Sequence, residues 1–436
     1  MRIINTEPSR AKLGFRFNLV ILMFVFWTLA QLIIPIKFLP YLILSKIEIF
    51  KMLVPAVGIM LCTLLYADKL KISRVSIPFI LFCGFVLAKY MIVFLTLNKP
   101  LDYFSIPIMY ICWVAIMFVT TPAIFSSLQR VRVFLRCMLL TFSLVGFFSI
   151  LFVVILNIDM SALYSHSRFA FVYGNPLYFG GVCYSIVCCS LMLIELSDSR
   201  VEKTLLCLLS IFCTVAILVA VTRTFMVGIL VLYLVYWFCK ETRPKSHLVF
   251  VPLVCTIIVL LLLLNLAVGG SYFSSDEVNS LSSGRLTNWW SSIAQAMNGF
   301  DALWGGSGLS NYDKVLVVDD NEAVNASFQR YSIDSTYIEV FINSGIFGLG
   351  LFFWGLVNVL RAASFGRLRD SEDSKELLGI LSAAYAVVVS LVVCSLFYGS
   401  YPSLGNTINS AALPAALVII FLVNRETISI KRETIK

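Results

Sequence analysis

The chain has 436 residues, of which 60% are hydrophobic and 13% are charged, and its formal net charge is +9. Because soluble domains carry about 25% charged residues, this composition excludes a soluble fold and predicts an all-α polytopic membrane protein. The basic residues are scattered over short segments and form no single patch, so nucleic acid is not an expected partner.

About twelve hydrophobic stretches are long enough to cross roughly 30 Å of hydrocarbon as helices. The first follows Arg10, Lys12 and Arg16 but lacks a small-residue cleavage site, so we expect it to remain as the first span. The predicted spans lie near 17–36, 47–66, 77–97, 104–121, 133–157, 177–196, 204–221, 225–239, 248–268, 335–360, 377–397 and 408–424. The chain, 1–436, is thus predicted to form a single integral membrane domain.

Lysine and arginine set the expected orientation. With a cytoplasmic N-terminus, most of the 33 lysines and arginines fall on cytoplasmic segments, as the positive-inside rule requires. Both termini are then cytoplasmic. A smaller loop, 157–176, and a large loop, 269–334, lie on the opposite face, and the large loop joins the ninth and tenth spans. The sequence VTRTF at 221–225 forms a very short turn on that same face.

The large loop contains a predicted amphipathic helix at the membrane interface. Its apolar residues recur at helical spacing over 286–300 and include Trp289, Trp290 and Ile293, with polar residues between them. Arg285 falls in the first turn, where unpaired backbone N–H groups favour a phosphate. In an alternative interpretation the tryptophans only anchor the loop at the headgroup level, and Arg285 touches lipid phosphate.

Arg168 and Arg223 are two further arginines predicted to lie near this membrane boundary, in SRFAF and VTRTF respectively. An arginine near a helix end can simply extend its head group to the interface. Three arginines on one face, with few competing cations, instead favour a site for a lipid-linked anion. The guanidinium suits this task because it can hold a diphosphate through two hydrogen bonds.

Two carboxylates at the start of the tenth span are candidates for acid–base chemistry. Asp334 and Glu339 lie at or just inside a hydrophobic segment, where a carboxylate needs a partner or a wet cavity. Either can act as a general base or orient an incoming hydroxyl. Asp319 and Asp320 lack the oxygen spacing of a calcium loop, the 12 cysteines form no CxxC pair, and there is no GxxxxGK[ST] loop. Neither a metal site nor the use of ATP is therefore predicted.

The order of these pieces resembles the bacterial O-antigen polymerase and ligase family. The resemblance covers roughly Arg168 to Trp354 and is carried by the VTRTF break, the GR…W helix with its WGGSG turn, and a polar span start that runs into NSGIFGLGLFF. It implies a glycosyltransferase that needs no nucleotide, metal or other cofactor. Such an enzyme acts on undecaprenyl-diphosphate-linked oligosaccharides at the periplasmic face of the bacterial inner membrane.

The resemblance also implies roles for single residues. The arginines that would line the diphosphate-binding cavity are Arg168, Arg223 and Arg285, and Arg285 would also be catalytic. The residues that would contact the acceptor or glycan are Trp289, Trp290, Tyr337 and Glu339. In the ligase branch a histidine stands at the place that Asp334 takes here. This departure favours a polymerase and makes Asp334 the candidate for acceptor activation.

Three functions remain open from the sequence. The first is a polymerase that joins lipid-linked repeat units into a surface polysaccharide, with membrane lipids and a chain-length regulator protein as further partners. The second is a ligase that moves polymer onto lipid A core. The third is a polysaccharide or lipid transporter or flippase, for which Lys51 and Lys89 are internal cations of interest. Transporters commonly show paired repeats, and no internal repeat is evident in this sequence.

Overall fold

The computed structural model describes residues 10–33, 58, 73–97, 105–165, 168–173, 175–242, 293, 335–363, 365, 373–396 and 407–434. The helices of this part of the chain are α1 (Arg10–Ile33), α2 (Ile77–Leu97), α3 (Ser105–Val114), α4 (Thr121–Ile124), α5 (Leu128–Ile155), α6 (Pro176–Leu196), α7 (Arg200–Val219), α8 (Arg223–Thr242), α9 (Thr336–Ala362), α10 (Asp373–Cys394), α11 (Thr407–Ser410) and α12 (Ala412–Thr434). A π-helical segment, Ala115–Thr120, joins α3 to α4.

Seven helical segments within these ranges are long and apolar enough to cross a membrane, by length and composition. They are Pro107–Ile124, Leu128–Ile155, Pro176–Leu196, Arg200–Val219, Arg223–Glu241, Thr336–Ala362 and Lys375–Cys394, and three shorter apolar helices are Phe17–Ile33, Ile77–Ile92 and Ala412–Arg425. The predicted all-α membrane fold is confirmed. The predicted spans 47–66 and 248–268 lie outside the described residues apart from Gly58, as does almost all of the large loop 269–334, so the total of twelve stays a prediction.

Local sequence signals explain where the helices begin. Ser127, Asn175 and Ser199 precede α5, α6 and α7, and each side chain accepts a hydrogen bond from a backbone amide in the first turn. Such caps pair one of the amides that a helix start leaves without an internal partner. Pro176 follows its cap directly, at a position where a missing N–H group costs nothing.

The smaller loop, 157–176, contains a departure from purely helical structure. Strand β1 (Tyr164–Ser165) pairs antiparallel with β2 (Arg168–Phe169), and the 3-10 turns Met160–Leu163 and Phe171–Tyr173 flank the two strands. Residues 166–167 lie outside the described part of the chain. The pairing is only two residues long, so the loop is a small hairpin that leaves the fold class unchanged.

The helices α5 to α8 run antiparallel in turn and define two ends of the bundle. At one end Arg132 and Arg136 of α5 bind Asp198 and Glu202, with N–O distances of 2.7 and 2.6 Å respectively, and Lys240 of α8 lies 2.9 Å from Glu195 of α6. We call this the basic end. The opposite end holds the loop 157–176, the VTRTF turn and the start of α9, and we call it the loop end.

Helix α10 lies at the centre of the bundle. Its residues 377–394 are all buried, whereas only 22% of the most apolar stretch of α7 is buried, so α7 presents most of its surface to the surroundings. Helix α10 packs against α6, α8 and α12. Small side chains allow this close approach. The Tyr184 hydroxyl of α6 also donates a hydrogen bond to Ser390 Oγ of α10 at 2.5 Å.

The contact between α8 and α10 generates a test of this packing. A Cβ atom added to Gly228 would overlap the sulfur of Cys394 and come within 3.0 Å of the Tyr184 ring, whereas one added to Gly146 of α5 would meet nothing within 4 Å. We expect Gly228→Ala to lower the free energy of unfolding by about 1–3 kcal/mol through overpacking. Gly146→Ala should raise it by up to about 1 kcal/mol, because alanine favours a helix.

Thermal unfolding of both variants in detergent measures this difference. Equal shifts of the unfolding midpoint for the two variants would contradict the packing at Gly228.

Candidate functional site

Two of the three arginines predicted to bind a diphosphate lie at the loop end. Arg168 is on β2 and is half-buried, and Arg223 is the first residue of α8 and is exposed. Arg285, the third, lies outside the described residues, as do Trp289, Trp290 and Asp334. The roles of these four residues therefore stay predictions.

Arg168 lies next in sequence to a cluster of aromatic rings. The next residue, Phe169, packs edge to face against Tyr164 and Phe179, with ring centroids 5.5 Å apart in both pairs. The cluster is completed by Phe171 and Tyr173, whose rings contact Phe179. These contacts fix the hairpin, which carries Arg168, against the first turn of α6.

Tyr173 is the buried member of this aromatic cluster. Its burial raises the pKa of the phenol. The cluster was not predicted, although the spacing of aromatic residues in SRFAFVYGNPLYF is a signal for it.

The VTRTF turn places Arg223 by a sharp reversal between two helices. The amides of Val221 and Thr222 donate to the carbonyls of Leu218 and Ile217 at 3.0 and 3.5 Å, which is the Schellman pattern of a helix end. Val221 accordingly adopts a φ of 49°, a left-handed conformation that valine rarely takes. The Thr222 carbonyl then accepts the first hydrogen bonds of α8, so the predicted break at 221–225 is confirmed.

The same turn rests directly on the start of α6. A Cβ atom at Gly180 would come within 2.6 Å of Thr222 Oγ1 and 3.0 Å of the Phe225 ring. Only glycine leaves room for this approach, because the nearest atoms belong to side chains that are themselves buried. Since Phe179 contacts Phe169 and Gly180 contacts Thr222, adjacent residues of α6 carry the two arginine-bearing segments.

The start of α9 is tied to the end of α10 at this same end. The Thr336 amide donates to the Ser395 carbonyl at 3.0 Å, and the Tyr337 hydroxyl donates to the Val392 carbonyl at 2.7 Å. Cys394 Sγ in turn lies 3.6 Å from the Thr224 carbonyl of α8. The chain just after Asp334 is therefore fixed next to the helix that begins with Arg223.

Two predicted glycan contacts, Tyr337 and Glu339, differ in their surroundings. Tyr337 is 8% exposed, its ring stacks on Phe353, and its hydroxyl is already bonded to the protein. Glu339 lies one turn into α9 and is half-buried. Among the described residues its carboxylate has no hydrogen-bond or ion-pair partner, which is costly in an apolar segment unless water or a ligand supplies one.

One residue of the predicted loop helix is described. Ile293 is helical and packs against Phe341 and Ile342 of α9. The apolar residues of that helix were predicted to face the membrane interface. The structure instead packs Ile293 against the leading part of α9.

One region of the chain is similar to a known protein family. Residues 208–353 match the family model Wzy_C, described as O-antigen ligase. The matched region is about a third of the chain and includes the VTRTF turn and residues 336–353 of α9, whose backbone leaves helical geometry at Gly345. No curated protein matches the chain.

The positive φ of Val221 predicts that replacement of valine by glycine has opposite effects on the free energy of unfolding at positions 221 and 215. Val221 and Val215 are both exposed, at 44% and 51%, but Val215 lies inside α7. We expect Val221→Gly to raise the free energy of unfolding by about 1 kcal/mol, because glycine adopts a positive φ without strain. Val215→Gly should lower it by about 0.5 kcal/mol through poorer helix propensity.

The unfolding midpoints of the two variants in detergent provide the measurement. A lower midpoint for Val221→Gly would show that the valine side chain, and not the backbone, decides the stability of the turn.

Proposed function

We propose that this protein is a glycosyltransferase that polymerises a surface polysaccharide, since residues 208–353 match a family model described as O-antigen ligase. Its substrates are undecaprenyl-diphosphate-linked oligosaccharide repeat units, and it requires no nucleotide or metal. The observation that carries the proposal is the meeting of Arg168, Arg223 and the start of α9 at one end of a membrane bundle.

We place the reaction at the periplasmic face of the inner membrane, with both termini in the cytoplasm. The distribution of charge supports this orientation. The ion-paired residues Arg132, Arg136 and Lys240 gather at the end opposite to Arg168 and Arg223. Basic residues concentrate on the cytoplasmic side of membrane proteins, so the loop end faces outward.

The chemistry assigns separate tasks to the arginines and the carboxylates. A hydroxyl of one lipid-linked unit attacks the anomeric carbon of the other, and the bond from that carbon to the diphosphate oxygen breaks. Arg168, Arg223 and Arg285 bind the diphosphate and stabilise the negative charge that it gains on leaving. The proton of the attacking hydroxyl passes to a carboxylate, for which Asp334 is the first choice and Glu339 the second.

Two alternatives remain, and each has its own support. The ligase is supported by the matched family model, which is described as O-antigen ligase, whereas Asp334 in place of a histidine favours the polymerase. A transporter or flippase is supported by the broken helix α9 and by Lys89, since transporters often bind substrate at broken helices within the membrane. The family match at 208–353 favours glycosyl transfer over transport.

The decisive experiment supplies the purified full chain in lipid nanodiscs with one lipid-diphosphate-linked repeat unit. A polymerase produces dimers, trimers and longer products from this substrate alone. A ligase produces nothing until lipid A core is added, and a transporter leaves the substrate chemically unchanged in both cases. Products that need lipid A core would overturn the polymerase proposal.

Arg223 gives the sharpest test of the diphosphate site among the described residues. We expect Arg223→Ala to lower the polymerisation rate about 10- to 150-fold, since a hydrogen bond to a charged group is worth about 1.5–3 kcal/mol. Arg223→Lys should lose less, because lysine keeps the charge but not the two-point grip. The rate of product formation in nanodiscs measures both effects.

The matched control is Arg361→Ala, which removes an exposed arginine in the last turn of α9, at the basic end. Its rate should equal that of the unmodified protein. Equal losses for Arg223→Ala and Arg361→Ala, at equal protein levels, would contradict the site.

The choice between the two carboxylates is also testable. If Asp334 is the base, Asp334→Asn lowers kcat by about 10²–10⁴-fold, the usual contribution of general base catalysis, and leaves the KM for the lipid-linked substrate nearly unchanged. Glu339→Gln then has the smaller effect. Initial rates across a range of substrate concentrations separate kcat from KM, and a larger loss in Glu339→Gln would move the role to Glu339.

A further inference from the structure

Helix α9 is broken within its apolar part. Gly345 has φ 65° and ψ −168°, a conformation that is essentially restricted to glycine. The break divides α9 into a leading segment, 336–344, and a trailing segment, 346–362. The leading segment carries Glu339, so its placement decides where that candidate base lies.

A lysine from another helix binds at this break. Lys89 of α2 donates a hydrogen bond from Nζ to the Asn343 carbonyl at 2.9 Å. In a continuous helix that carbonyl would accept from the amide of Phe347, on the far side of Gly345. Lys89 thus supplies a donor to a backbone group whose helical partner lies across the break.

Asn343 connects the break to a second helix. It is 2% exposed, and its side-chain amide donates to the hydroxyl of the fully buried Tyr110 of α3 at 3.0 Å. Its side-chain oxygen has no hydrogen-bond partner among the described residues. The last turn of the leading segment is therefore held from two sides, by α2 through its main chain and by α3 through its side chain.

A neutral side chain would satisfy the same carbonyl at lower cost. An ammonium group within a hydrophobic span is expensive, and residues of this kind in membrane helices usually serve a function. Glu339 and Asn343 are four residues apart, so they lie on the same face of the leading segment. Lys89 thus binds the main chain of the residue that lies one turn beyond Glu339 on the same face.

We propose that Lys89, acting with Asn343 and Tyr110, is a positioning residue for the end of α9 that activates the acceptor. It fixes the leading segment against α2 and α3, and thereby sets the location of Glu339 relative to Arg168 and Arg223. Lys89 itself touches no substrate. This inference rests on the proposed function, because it assigns a role within that reaction.

The test compares Lys89→Met, which keeps the length of the side chain but removes its donors, with Lys89→Arg, which keeps charge and donors. We expect Lys89→Met to lower kcat between about 10- and 100-fold with less than about a twofold change in KM, because misplacement of catalytic groups by about 1 Å has effects of this size. Lys89→Arg should restore most of the rate.

A second readout does not depend on catalysis. Hydrogen exchange in nanodiscs should become faster in 336–344 of Lys89→Met and stay unchanged in 346–362. Gly345→Ala should give the same local change, and Gly350→Ala is the matched control, since a Cβ there meets nothing within 4 Å.

The outcomes separate the two proposals. Unchanged exchange of 336–344 in Lys89→Met, or a fall in kcat matched by an equal fall in folded protein, would overturn the positioning role. Absence of polymer from the unmodified protein would overturn the proposed function and with it the catalytic purpose of the positioning. Faster local exchange together with lower kcat and steady KM supports both.

Discussion

The last turn of the buried helix α10 is the element on which the loop end depends. Its Val392 and Ser395 carbonyls accept hydrogen bonds from the start of α9, and Cys394 lies against the first turn of α8. Inside a bilayer no water can replace such bonds, so each unmade bond costs several kcal/mol. The starts of α8 and α9 are therefore fixed relative to each other by a helix that carries none of the proposed substrate-binding or catalytic groups.

The two described arginines of the candidate site are each held by a well-packed local structure. Arg168 stands on a hairpin packed by aromatic rings, and Arg223 follows a two-residue reversal that requires valine in a left-handed conformation. Both rest on adjacent residues at the start of α6. In the function proposed above, this arrangement would let a polyprenyl chain remain in the lipid while Arg168 and Arg223 bind its diphosphate head group at the membrane boundary.

Hydropathy predicted the helices well, because length and apolar composition decide whether a segment can span a membrane. The VTRTF break was also predictable, since a polar interruption with an arginine is visible in the sequence. The central position of α10 was not, because a helix buried in protein and one facing lipid are both apolar on all sides. The break at Gly345 was hidden among Gly348, Gly350 and Gly355, since composition does not reveal φ. The hydrogen bond of the Tyr337 hydroxyl was not predictable either, because its acceptor, the Val392 carbonyl, lies 55 positions away in the sequence.

The burial of 377–394 in α10 has a consequence for biosynthesis. The ribosome delivers α6, α7 and α8 to the membrane well before α10, which follows some 130 residues after the end of α8. Until α10 is inserted, the faces of α6 and α8 that carry Tyr184 and Gly228 lack the helix against which they pack. Arg168 and Arg223 thus reach the membrane before the helix that orders the loop end. In the proposed enzyme, a nascent chain that stalls before α10 would hold these arginines without their framework.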